Sequence, residues 1–204
     1  MGQQVINIGA TANDGTGDDL RSGGEKINEN FNQVFGNFAQ TADGSLIDTS
    51  TERSILGSGV GSLLMPANTS RVGDSYHAKI GGVINATGGG NRSEIIIRVK
   101  SGATLLSTSG IFDLETATNE GWECEFDFTI RTIGATGTIN TNGNFIYTKD
   151  GARQVHGFMF QDSEVINTTV DNTLDVTVEF NVLNTGDSIQ AQNFVLRRTY
   201  TGLA

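Results

Sequence analysis

The sequence predicts a mainly β protein, an antiparallel sandwich preceded by an N-terminal loop and a short amphipathic helix. Three observations predict it. In residues 122–131, apolar Trp122, Cys124, Phe126, Phe128 and Ile130 alternate with Glu123, Glu125, Asp127, Thr129 and Arg131. Side chains on a strand point alternately to its two faces, so this is half of a sheet with one dry wall and one wetted wall. The composition, with 27 Gly, a single Pro and 36% hydrophobic residues, suits many short strands joined by turns. Finally, the apolar spacing follows a helical period before residue 39 and a period of two after residue 53.

Taken in order, Val5, Ile6 and Ile8 form a short extended apolar stretch. Residues 9–19 follow as a turn-rich loop, in which Gly15 and Gly17 permit positive φ and Asn13 and Asp14 favour turns. Asp18 or Asp19 is placed to cap a helix. Leu20, Ile27, Phe31, Val34 and Phe38 then recur at steps of seven, four, three and four, a stripe along a helix of about five turns, with Phe35 beside it. Gly23 and Gly24 inside the helix cost about 1 kcal/mol each relative to Ala, and a helix this short is marginal alone. Burying the five apolar side chains returns roughly 1.5–3 kcal/mol each. Packing therefore decides, and the helix is expected only when docked. Its own domain, sister chains and a foreign protein all remain open as the dock.

Residues 39–52 are small and polar and read as a linker. The expected division is a loop and helix over 1–40, a linker over 41–52 and a β domain over 53–204. Strands are expected at 54–56, 62–65, 75–84, 94–100, 104–108, 122–132, 137–148, 155–160, 174–182 and 189–199. Turn signals fall between or near them, Asn142-Gly143 among these. Leu174, Val176, Val178, Phe180 and Val182 make a second alternating wall, and Ile95, Ile97 and Val99 a third. About ten strands with this spacing argue for a jelly roll.

The charge excludes several function classes. The formal net charge is -10, and residues 1–52 hold eight acids against Arg21 and Lys26. No basic stripe is present to displace phosphate counterions, so nucleic acid is not an expected partner. No apolar run reaches the roughly 20 residues of a membrane span, so no membrane insertion is expected, and the first residues do not form a signal peptide. Cys124 falls on the core face of its strand and reads as packing. His77 and His156 have no acid or Cys at ligand spacing. Residues 13–19 are acidic enough to hold Ca²⁺ but lack EF-hand spacing, so turn and cap roles take precedence. Glu123, Glu125 and Asp127 read as a solvated face and not as a catalytic carboxylate set. The expectation is a protein without catalytic residues, cofactor or metal.

The run Ile6-Asn-Ile-Gly-Ala-Thr-Ala-Asn-Asp-Gly-Thr-Gly-Asp-Asp-Leu-Arg, followed by Lys26-Ile-Asn-Glu-Asn-Phe, resembles the N-terminal segment of many virion proteins of tailed bacteriophages. It departs from that pattern at Gly23-Gly24. Ser54-Ile-Leu-Gly-Ser-Gly, Leu64-Met-Pro-Ala-Asn and Val72-Gly-Asp-Ser-Tyr, with the Trp122 strand, resemble phage jelly-roll domains. Such domains are commonly trimeric, with an architecture similar to tumour necrosis factor. The resemblance implies a non-enzymatic virion component, a homotrimer that binds another phage structural protein through its first segment. Leu20, Ile27, Phe31, Val34, Phe35 and Phe38 are then the expected contact residues. Capsid decoration or a head fibre leads, with a short tail or neck fibre next. A glycan-binding sandwich is the alternative from another class, to be tested at Tyr76 and Tyr147.

Overall fold

The computed structural model describes residues 4–11, 14–34, 36–149, 152 and 154–202, leaving aside the side chains of 31–34, 154–156 and 158. Helix α1 spans Leu20–Val34. Strands follow in two antiparallel sheets. The first runs β11 (Gln154–Ile166), β10 (Gly137–Lys149), β9 (Ala117–Thr132), β5 (Ser75–Ala86), β13 (Ser188–Tyr200), β1 (Phe38–Gln40) and β3 (Gly59–Gly61). The second runs β2 (Arg53–Ser54), β12 (Asn172–Val182), β6 (Glu94–Ser101) and β7 (Thr104–Thr108), with β4 (Leu64–Met65) on β12 and β8 (Phe112–Asp113) on β6.

The pairing is nested. β1 pairs with the last strand β13, β2 with β12, β5 with β9 and β6 with β7. A ribbon folded back on itself and wrapped into two sheets gives this order, so the fold is a jelly roll. The β10–β11 hairpin extends the first sheet beyond β9.

The alternating walls meet as expected. Cys124, Phe126 and Phe128 from β9 are buried with Ile80 of β5 and Phe145 of β10, and Ile95, Ile97, Val176, Val178 and Phe180 close over them from the second sheet. Several polar groups carried inward find partners there, although Thr141 Oγ1 on the core face of β10 has none among the described residues. The Trp122 indole N–H donates to Val83 O and Gln190 O, and the Glu115 N–H donates to the Tyr147 hydroxyl at 2.7 Å. Tyr76 stacks on Phe128 at 4.8 Å, and the Arg198 guanidinium lies 5.5 Å from the Tyr76 ring centre. At the open side, Asp162 of β11 accepts from Ser107 Oγ at 2.6 Å and Thr108 N–H at 3.0 Å, tying the first sheet to β7 of the second.

The structure departs from expectation between residues 36 and 61. Phe38 is not on the helix stripe. It is the first residue of β1, buried in the sandwich and packed on Phe194 with ring centres 5.9 Å apart. The helix ends earlier because the Asn37 N–H donates to Leu196 O, committing the chain to the sheet. Residues 41–52 do not behave as a free linker. Ile47 is buried and exchanges two backbone bonds with Ile189, and Glu52 accepts from Lys100 Nζ at 2.8 Å and Thr177 Oγ1 at 2.6 Å. These contacts are long-range, so polarity and small size gave no local sign of them. Glycine permits the close approach: a Cβ on Gly44 would stand 2.0 Å from Ile55 O, and one on Gly59 2.2 Å from Ala39 O. Likewise Asn142-Gly143 is no turn. It lies inside β10, where a Cβ on Gly143 would meet Glu125 O at 2.8 Å and the Phe160 ring at 2.6 Å.

Candidate functional site, the N-terminal clasp

Residues 4–34 form a small unit held together mainly by polar side chains. The extended segment runs back along α1. The Gln4 N–H donates to Asn30 Oδ1 at 2.7 Å, and Asn30 Nδ2 donates to Gln4 O at 2.8 Å. One helical turn earlier, Lys26 Nζ donates to Val5 O at 3.1 Å and to Asp18 Oδ2 at 2.7 Å. Asp18 also accepts the Asn7 N–H at 2.8 Å, while its own N–H donates to Asn7 O at 2.7 Å. Asn7 Nδ2 donates to Thr16 O, and Asn7 Oδ1 accepts from Gly9 N–H. Gly17 is required where the two runs cross, because a Cβ there would lie 2.9 Å from Asn7 O.

The acids have separate tasks. Asp14 accepts from the N–H groups of Ala10, Thr11 and Thr16, closing the loop on itself. Those donors, Thr16 first, hold its carboxyl far below the usual range. Asp18 is lowered by Lys26 and then by the Asn7 N–H. Asp19 is the helix cap: it accepts from the Ser22 N–H at 2.7 Å, three residues on, and is lowered by that bond. These bonds account for the acidic run without calling on an ion, and no group of three or more His, Cys, Asp or Glu side chains placed to hold a metal occurs among the described residues.

Among the described residues of the unit, most apolar side chains face outward. Leu20 is 96% exposed and Ile27 43%, with Val5 and Ile8 exposed as well. Ile6 lies over Gly23, whose Cβ position is 3.8 Å from Ile6 Cγ2. Of the expected contact residues, Leu20 and Ile27 therefore share an open helix face. The side chains of Phe31 and Val34, and Phe35 altogether, lie outside the described residues. Phe38 belongs to the sandwich core. The clasp residues Asn7, Lys26 and Asn30 were not among the sequence candidates. Their signal was Lys26 and Asn30 spaced one turn apart on the helix, facing a segment with an Asn of its own.

The other candidates resolve simply. Glu123 and Glu125 both bind Lys79 Nζ, at 2.6 and 3.0 Å, and raise its pKa, while Asp127 meets His77 Nδ1 at 3.1 Å across the β5–β9 pair. His77 thus does gain an acidic neighbour, from a strand that spacing could not connect to it. Burial pushes the Cys124 thiol up to about 12, which keeps it a protonated packing group. Tyr76 and Tyr147 are 4% and 2% exposed, so neither ring is available to stack on a sugar.

No protein-family model matches the chain. Over 33 residues, 16% of this chain, it is 61% identical to the baseplate wedge protein gp10 of Enterobacteria phage T4. That match spans 6% of the baseplate protein's length.

Proposed function

We propose that this chain is a non-enzymatic structural protein of a tailed-phage virion, fastened to another virion protein through the N-terminal clasp and projecting its jelly roll outward. One observation carries the reading: a pre-formed unit leaves Leu20 and Ile27 facing water while its polar groups are bonded to one another. The 33-residue match to a baseplate wedge protein supports a virion component, and the resemblance of residues 6–31 to the first segment of tailed-phage virion proteins supports a clasp shared among them.

Energetics favour multivalency. Burying Leu20 and Ile27 returns roughly 3–6 kcal/mol together, against an association cost of at least about 4 kcal/mol. One clasp is then a weak anchor. Several clasps on one oligomer, a homotrimer in this reading, act at high effective concentration and hold firmly.

The baseplate match favours a tail position, with capsid decoration or a head fibre as the second reading. Reconstruction of the assembled particle tests both. Copies at the tail or baseplate with residues 20–34 buried against a different protein support the proposal. Copies across the shell favour decoration. A clasp that faces bulk solvent in the particle overturns the anchor.

A further inference from the structure

The outer face of the β10–β11 hairpin differs from the rest of the first sheet. On β10 its outward residues include Asn140, Asn142, Asn144 and Ile146. Their partners on β11 are Ser163, Gln161, Met159 and Gly157. No charge stands on this strip from Thr138 to Thr148, whereas the next strand, β9, presents Glu123, Glu125, Asp127 and Arg131 to the same side. Met159 is 78% exposed and Val165, at the strip's end, 57%.

We infer that this uncharged face is a contact between copies of this chain. A chain of net charge -10 repels its own copies over most of its surface, so self-association needs an area free of carboxylates. The strip is such an area, and it combines exposed Met with amides able to bond across an interface. Two strands of this length cover roughly 37 by 10 Å as bare sheet. That is under half of the roughly 800 Å² per partner of a stable contact, so the contact takes in adjoining exposed residues such as Ile133 as well. The inference gives a surface to the oligomer of the proposed function and rests on that oligomer, but not on the anchor.

Sedimentation of the full chain tests it. The wild type is expected to sediment as an oligomer at micromolar concentration. Asn142→Glu with Met159→Glu should raise the dissociation constant at least about tenfold, a change of 1.4 kcal/mol, with unchanged circular dichroism. Thr104→Glu, exposed on β7 of the other sheet, should change nothing. A second arm avoids reliance on folding of the double variant: a photo-crosslinker at Met159→Cys should give a chain-to-chain product that the same group at Thr104→Cys does not. A monomeric wild type overturns the oligomer and the surface together. A wild-type oligomer that survives both charge changes, or that fails to crosslink at residue 159, overturns the surface alone. In either case attachment through the clasp can still be measured separately.

Discussion

The jelly roll and the clasp solve opposite problems. The jelly roll hides most of its apolar side chains between two sheets and leaves most of its charges, such as Lys79 with Glu123 and Glu125, at the surface. The clasp bonds its polar groups to one another and leaves Leu20 and Ile27 in water. The first therefore has a stability of its own through burial. The second has shape from polar bonds, and the described apolar residues of its helix, Leu20 and Ile27, gain burial only from something outside it. In the proposed reading, scaffold and connector are told apart by where the apolar residues end up.

The contrast predicts a descending series of effects. Phe126→Ala removes a fully buried ring and should lower unfolding stability by about 3–5 kcal/mol, read by denaturant titration, while leaving the clasp contacts intact. Gly44→Ala places a Cβ against Ile55 O and should cost about 1–3 kcal/mol, read as a lower melting temperature. Asp162→Ala leaves Ser107 Oγ and Thr108 N–H without their acceptor and should cost about 1–3 kcal/mol. Asp19→Ala should lower helical ellipticity through loss of its cap and leave the main melting transition unmoved.

Acid should separate the two regions more gently. Asp14, Asp18 and Asp19 are all depressed in the folded clasp. Their stabilisation is fully present above the unfolded Asp value of about 3.9 and is lost as pH falls through the depressed folded values. Amide signals of residues 4–34 should hold down to about pH 4 and broaden or collapse below it, before those of β9 and β12. Simultaneous loss would mean that the clasp has no independent transition.

The fold was readable because strand alternation is a local signal. The walls at 122–130, 174–180 and 95–99 are buried as their period requires, while Val182, expected in the second wall, is only half-buried beyond a register shift after Phe180; the Asp-rich loop with its cap follows from turn chemistry. The short strands β1, β3 and β8 were not readable. Each has two or three residues, too few to show a period, and β1 in addition pairs with a strand far along the chain, Phe38 lying opposite Leu196. Glycine misled for the same reason. At Gly143 it marks close packing of a neighbouring strand and ring, which looks identical in sequence to a turn. In the clasp, the helix stripe gave Leu20 and Ile27 but overran into Phe38, because apolar spacing alone cannot show where a sheet bond captures the chain.

The account rests on the exposed helix face being the grip. The direct measurement is attachment of the full chain carrying Leu20→Asp and Ile27→Asp to particles assembled without it. The account predicts that attachment is lost, with denaturant stability of the jelly roll unchanged. Attachment equal to wild type by that double variant would contradict it.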